Sequence, residues 1–341
     1  MQASVKQLLV QTILRIRKYY GLLLRSFYAR LDGPRQIHAS LLENDAALLQ
    51  SSVHTIEFLQ QMQRQFVALE AQLLKSKVSV RTGQYGALNP EIGLLAHLYA
   101  HLPNRVAVDV GANIGDVSKR LLDAGYEVYA VEPYPPVFAK LRERLSAHAD
   151  FHSLQLALGD QDAEMDLHVA ADLSDAGKYD DPTLFNSLLD HPMLDDLVFE
   201  ETVQVSVRSL ASLAASAEIP DAFGLMKIDA EGYDLKIIQG MSERQRPAVV
   251  VTEFWDANFL FGKQGAMNRL ADLVAEMRRR AYHWHIVIYR GSADEDISFY
   301  CNQAQSLDNS WGNVFFFRDQ AIFKAALDWC SAVLPPTYFN D

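Results

Sequence analysis

The sequence predicts an α/β protein: a doubly wound, mostly parallel sheet with helices on both faces, preceded by an N-terminal helical arm. Three observations predict it. From residue 91 onward, short apolar runs alternate with amphipathic stretches of helical period, the pattern of strands buried on both faces and joined by crossover helices. The stretch RVAVDVGANIGDVSKRLLDAGYEVYAVEP, residues 105–133, reads as strand, glycine turn, helix and second strand, ending in an acid. Residues 1–75 carry helical spacing instead.

In chain order, the arm comes first. Val5, Leu8, Leu9, Ile13, Ile16, Tyr20, Leu23, Phe27 and Leu31 form one apolar face, and the opposite face is basic. Residues 1–31 hold six Lys and Arg side chains and no acid, so against an overall charge of −12 the remainder carries −18. Such a helix suits an anionic membrane surface, a partner helix or a sister subunit. Gly33-Pro34 ends it, and a second helical tract covers about 38–75. There Leu59, Met62, Phe66, Leu69 and Leu73 alternate steps of three and four, a short heptad seam. Residues 1–80 are therefore expected to be a helical, coiled-coil oligomerisation or docking arm. A linker over 76–90 ends with Asn89 as N-cap and Pro90 in the first helical turn.

The second domain spans 85–341. Strands are expected at 105–110, 127–132, 151–157, 164–169, 202–207, 224–229, 247–254, 283–289 and 312–317. Helices are expected at 91–101, 114–124, 135–147, 209–217, 234–240, 266–280 and 319–331. The late strands lack a helix between every pair, which allows an antiparallel edge. Hydrophobic residues make up 49% of the chain and charged residues 22%, enough for a packed core. The acidic balance argues against a nucleic-acid partner. Cys301 and Cys330 lie far apart with no CxxC, so neither a disulfide framework nor a structural zinc is expected, in keeping with reduced thiols in a cytoplasmic protein. No apolar run of 18 residues and no signal-peptide core is present; the expected location is cytoplasmic, with the basic arm able to touch the inner membrane face.

The unit at 105–133 poses the question of its ligand. Gly111 permits a tight turn and Gly115 stands at a helix start, where free N–H groups can meet an anion. Asp109 lies at the end of the first strand, and Glu132 ends the next, where a carboxylate can accept ribose hydroxyls. A dinucleotide prefers G-x-G-x-x-G, but here those positions are Gly111, Asn113 and Asp116. An acid beside a pyrophosphate is unfavourable. Asp109 suits an ammonium group, so the pattern favours S-adenosylmethionine, which has an ammonium, a ribose and no phosphate, over NAD.

These residues carry a resemblance. VDVGANIG (108–115), VEP (131–133), LALGD (156–160), LMKIDAEGYD (225–234) and RPAVVVTEF (246–254), in this order and spacing, resemble the FkbM family of S-adenosylmethionine-dependent methyltransferases over about residues 90–320. The resemblance implies a class I methyltransferase, Rossmann-like fold and O-methylation of a hydroxyl on a sugar, glycan or related natural product. By matching position it implies that Asp109, Gly111, Asn113, Gly115 and Glu132 contact the cofactor, and that Asp160 faces the adenine amino group. The family's T-L-D segment reads Ser209-Leu210-Ala211 here, so Ala211 stands where the family has its Asp.

A hydroxyl attacking a sulfonium methyl needs alignment and a proton acceptor or metal. KIDAEGYD offers Lys227, Asp229, Glu231 and Asp234 near one strand end, and TEFWD offers Glu253 and Asp256 near the next. Asp229, Glu231 and Glu253 are candidates for general base or for ligands of a divalent cation such as magnesium. The plainer alternative pairs Lys227 with an acid and lets Asp229 cap the helix starting near 234. Residues 172–201 contain nine acids and one lysine; they suggest either a substrate lid, with Asn186, Ser187 and His191 (a further candidate base) touching the acceptor, or a solvated loop. His283 and His285, and Trp255 and Trp311, are expected to serve packing. Two readings remain beside the enzyme: an interaction protein docked through its arm, and an NAD-dependent oxidoreductase.

Overall fold

A computed structural model describes residues 89–174, 181–190, 196–258, 268–291 and 297–337. The arm, the heptad seam and His191 lie outside these residues. The described chain opens with helix α1 (Pro90–Leu98), capped as expected: the Asn89 side chain accepts hydrogen bonds from the backbone N–H of Glu91 and Ile92. Strand β1 (Val106–Val110), helix α2 (Asp116–Ala124), strand β2 (Glu127–Val131), helix α3 (Pro135–Leu145) and strand β3 (Phe151–Leu154) follow. After β4 (Ala157–Gly159), β5 (Ala163–Asp172) and β6 (Leu197–Ser209), the alternation resumes with helix α4 (Leu210–Ala215), β7 (Leu225–Ile228), helix α5 (Asp234–Gln239) and β8 (Val249–Trp255). Helix α6 (Leu270–Arg279), β9 (Trp284–Arg290), β10 (Ile297–Cys301), β11 (Trp311–Phe317) and helix α7 (Gln320–Val333) complete it.

Eight strands form one sheet in the order β10-β9-β11-β8-β7-β1-β2-β3. Pairing is parallel from β3 through β8, while β11 runs antiparallel to both neighbours and β10 antiparallel to β9. The sheet is the doubly wound, mostly parallel one expected, with the antiparallel edge that the late strands allowed. Alternation divides its side chains between two faces. Val108, Met226, Val250, Val287 and Val314 join one apolar core with Ile237 and Ile238 of α5 and Leu270 and Leu273 of α6. On other strand contacts, α7 packs on β9 and β11, and α1 packs on α7 and α2. Arg290 of β9 is buried in an ion pair with Glu91 of α1, a bond that ties the first described helix to the far side of the sheet.

Three differences from the expected elements have physical causes. The run 151–157 is two strands: β3 ends the large sheet, and β4 belongs to a second, three-stranded sheet in the order β4-β6-β5. Apolar content alone does not show that the chain changes sheets at Gln155. The strands expected at 164–169 and 202–207 extend to 163–172 and 197–209, because each stabilises the other over an antiparallel ladder with a register shift at Val169/Ala170. Strand β10 was not expected; it is held by β9 on one side and meets Pro336 on the other.

Candidate active site

The strand order reverses between β1 and β7: from β1 the chain winds outward through β2, and from β7 it winds the other way through β8. Crevices of open α/β sheets form at the carboxyl ends of strands at such a point. A cleft of about 730 Å³, its open mouth included, lies there. Val110, Val131, Leu158, Leu167 and Ile237 supply apolar walls, while Glu132, Asp229 and Glu231 bring carboxylates. No Lys or Arg occurs among the described residues lining it.

The turn after β1 forms one wall. Gly111 has φ +69°, and a Cβ there would come within 1.8 Å of the Asp229 carbonyl oxygen. Its freedom therefore serves the close packing of two strand-end loops, and its backbone also lines the cleft, where the sequence expected a ligand to approach. Gly115, at φ +87°, is the residue before α2; a Cβ there would collide with Leu141 and Leu145 of α3, and its N–H donates to the Ala112 carbonyl. Asn113 lines the cleft with φ +47°. Its backbone N–H donates to Glu132 Oε2 at 3.0 Å, and its Nδ2 donates to Thr183 Oγ1 at 3.2 Å.

Glu132 is 6% exposed and lines the cleft. Burial pushes its carboxyl up to about 7, against the opposing effect of hydrogen bonds from the Tyr134 and Asn113 amides. Each oxygen accepts one backbone N–H and keeps a lone pair for a ligand hydroxyl.

Asp109 differs from its expected role as a direct ammonium ligand. Its side chain is fully buried and does not line the cleft. Oδ2 accepts from Ser118 Oγ at 2.6 Å, and Oδ1 faces Lys227 Nζ at 3.6 Å. Register explains this: Asp109 and Lys227 are cross-strand partners on β1 and β7, so both side chains leave the same face together. Lys227 Nζ also lies 3.2 Å from Asp229 Oδ2. Burial alone would lower the Lys227 pKa, but Asp229 and Asp109 outweigh it and the ammonium is retained. The pairing of Lys227 with acids was the plainer of the two expectations, and it holds. The capping role for Asp229 does not: Tyr233 precedes α5, with no side-chain cap.

Asp160 also departs from its expectation. It is absent from the cleft lining, and its Oδ2 pairs with Lys236 Nζ at 2.7 Å, drawn off by the helix α5 that packs on β4. Leu156, Ala157 and Leu158 present the apolar wall in its place.

The acid cluster is brought together. Carboxylate oxygens of Asp229, Glu231 and Glu253 lie within 4.8 Å of one another. Glu231 is raised well above the ordinary carboxyl range by burial and by the charges of Glu253, Asp229 and Asp234. Glu253 is raised by burial, Asp229 and Asp234, and its Oε2 is shut off from solvent with no hydrogen-bond partner. Asp234, fully buried, instead serves the frame: it accepts from Thr252 Oγ1, Asn268 Nδ2 and the Glu253 N–H. Asp256 does likewise, accepting from Ser306 Oγ and the N–H groups of Asn258 and Asn309.

The acidic excursion between β5 and β6 reaches the cleft through a 3-10 turn, Pro182–Phe185. Asp181 starts it by accepting from the Thr183 N–H and hydroxyl. Thr183, Leu184, Asn186 and Leu188 line the cleft, and Ser187 Oγ donates to the Glu231 carbonyl at 2.7 Å. Thr183 and Leu184 were not singled out from the sequence, although Asp181-Pro182-Thr183 carries a legible cap. Asn186 Oδ1 accepts from the Ala170 N–H. His285 is buried with its Nε2 at 2.9 Å from the Gln303 carbonyl, consistent with packing. Trp255 is buried against Gly232, and Trp311 lies under the Arg290 guanidinium. In the departed T-L-D segment, Ser209 caps α4 by accepting from the Ser212 N–H.

Residues 109–283 match the family model described as "Methyltransferase FkbM domain". The chain is 23% identical over 176 residues to the 2-O-methyltransferase NoeI of Sinorhizobium fredii (strain NBRC 101917 / NGR234), covering 50% of this chain and 72% of that protein. Among solved structures, the O-methyltransferase TomG from Streptomyces achromogenes, in complex with SAM, is 12% identical, with 67% of this chain and 80% of that chain covered and a TM-score of 0.37. The precorrin-6y C5,15-methyltransferase from Geobacter metallireducens GS-15 is also 12% identical, with 66% and 86% covered and a TM-score of 0.33.

Proposed function

Since the chain belongs to the FkbM methyltransferase family, we propose that it transfers the methyl group of S-adenosylmethionine to a hydroxyl of a sugar, glycan or related natural product. One observation carries the choice of cofactor: the cleft at the β1/β7 switch point is lined by acids and apolar side chains, without a base. A pyrophosphate is repelled there, whereas a cationic, phosphate-free nucleoside is attracted. The residues present fit it. Glu132 holds free lone pairs for ribose hydroxyls, the wall of Val131, Leu156 and Leu158 suits a purine, and Asp229 offers a carboxylate to the positively charged part. Asp109 supports this set indirectly, by fixing Lys227. The family relative whose name specifies a 2-O-methyltransferase supports a hydroxyl acceptor.

The cofactor, when bound, supplies a sulfonium methyl. Transfer would form a C–O bond to the acceptor as the C–S bond breaks, so a residue of this chain would have to receive the hydroxyl proton. Glu231 is the residue best suited to receive it. It lines the cleft, and burial, together with the charges of Glu253, Asp229 and Asp234, raises its proton affinity above that of an ordinary carboxylate. Lys227 fixes the Asp229 carboxylate through a 3.2 Å ion pair. For residues 1–80, the proposal is homo-oligomerisation through the helical tracts, with the basic face of 1–31 contacting an anionic surface at the cytoplasmic side of a membrane.

Titration calorimetry of the full chain with S-adenosylmethionine or its demethylated product tests the cofactor; saturable binding is expected, and its absence from folded protein defeats the reading. Labelled cofactor incubated with fractionated glycans then identifies the acceptor. Glu231→Gln should keep cofactor affinity and lower turnover by about 100-fold or more, the scale of a lost proton acceptor.

A further inference from the structure

We propose that Asp229, Glu231 and Glu253 bind one hard divalent cation, of the magnesium or manganese class, beside the cofactor cleft; the proposal rests on the methyltransferase reading for the cation's use, not for its binding. Geometry carries the first part of the argument. The three carboxylates each offer an oxygen, all within 4.8 Å of one another. Oxygens on opposite sides of one such cation stand about 4–5 Å apart, so a single ion reaches all three. The donor set is oxygen only, which selects hard cations over zinc or copper.

A second observation is independent of the clustering. Glu253 Oε2 is sealed from solvent and accepts no hydrogen bond. The Glu253 carboxyl has one side-chain hydrogen bond, with Trp255, while the Glu253 N–H and the Thr252 hydroxyl both go to Asp234, so none of these donors satisfies Oε2. A buried carboxylate oxygen without a donor carries its desolvation cost uncompensated, and a cation removes that cost. Lys227 does not fill the role, since its ammonium is shared between Asp109 and Asp229.

Placement gives the site its use. Asp229 and Glu231 line the cleft, so a cation held by them has its open positions toward the ligand. Three protein oxygens leave room for two oxygens of an acceptor, which favours a substrate with neighbouring hydroxyls. When bound, the cation lowers the proton affinity of a hydroxyl it touches.

The test uses the full chain, stripped with a chelator and titrated with Mn²⁺ while free Mn²⁺ is followed by electron paramagnetic resonance. One site per chain is expected, with competition by Mg²⁺. Glu253→Gln and Glu231→Gln should each weaken it at least tenfold, and Asp328→Asn, on the exposed side of α7, should leave it unchanged. Melting provides a second readout: Mg²⁺ should raise the melting temperature of the wild type but not of Glu253→Gln, which without metal should melt no lower than the wild type because a like charge is gone. Absence of saturable Mn²⁺ binding at millimolar concentration overturns the site, as does binding that Glu253→Gln leaves intact. Cofactor binding in chelator without Mn²⁺ binding defeats the cation alone; Mn²⁺ binding without cofactor binding defeats the methyltransferase reading alone.

Discussion

Glu132 shows how burying one carboxyl links stability to pH. Its carboxyl is raised from the ordinary 4.5 to about 7 because it is buried in the folded chain. Between these values the unfolded chain has lost the proton that the folded chain keeps, so folding stability falls as pH rises from about 4.5 through about 7. The size of this loss is about 3 kcal/mol in the absence of ligand, from roughly 1.4 kcal/mol per unit. Chemical denaturation at several pH values should show it in the wild type and a flatter profile in Glu132→Gln. The same substitution should weaken cofactor binding by about 10- to 100-fold, the loss of a hydrogen-bonded charge, and should remove the tightening expected between pH 6 and 8 as Glu132 ionises. Gly111 makes the opposite kind of point. Ala at this position meets the Asp229 carbonyl and an unfavourable φ, so Gly111→Ala should lower stability by at least about 1–3 kcal/mol in a urea titration. At this scale the sequence was legible where chemistry is local: Asn89 caps a helix, and Glu132 ends a strand in the cleft. It was misleading for Asp109 and Asp160, whose carboxylates are claimed by Lys227 and Lys236 from elements 118 and 76 residues away.

Elements place these groups, and two of them invite tests. The 3-10 turn Pro182–Phe185 is tied to the glycine turn by the bond from Asn113 Nδ2 to Thr183 Oγ1. Thr183→Val keeps the shape and removes the acceptor. Calorimetry should show cofactor affinity reduced by about 2- to 10-fold, the range of a neutral hydrogen bond, with little change in melting temperature. Helix α1 is pinned to β9 by Glu91 and Arg290, both buried. Glu91→Gln leaves a buried guanidinium without its counter-charge and should cost about 3–5 kcal/mol by denaturant titration, whereas replacing both partners with apolar residues of similar volume should cost less. Neither contact was legible in the sequence. Helical period and caps identify elements, but the partner of a side chain across 199 residues depends on how the elements pack.

Across the whole molecule, division of labour is the theme still open to experiment. Among the described residues no helix is long and apolar enough to cross a membrane, and the only basic concentration proposed for surface contact is the segment 1–31. Sedimentation of full-length protein and of a chain beginning at residue 81 should give a smaller assembly for the shorter form, with methyl transfer retained by both. For the rest, the sequence by itself determined the class of fold and the end of the sheet at which the cleft lies. Both follow from local periodicity and from glycines and acids at strand ends, which need only near neighbours to be read. Tertiary structure alone decided which carboxylates face the cleft and which are spent inside. It also decided that Asp229, Glu231 and Glu253, from two different strand ends, share one small volume, and that the chain leaves the main sheet to build β4, β5 and β6. The reason is physical: the fate of a charge depends on its nearest counter-charge in space, and that partner is chosen by sheet register and packing, over distances along the chain that no local pattern records.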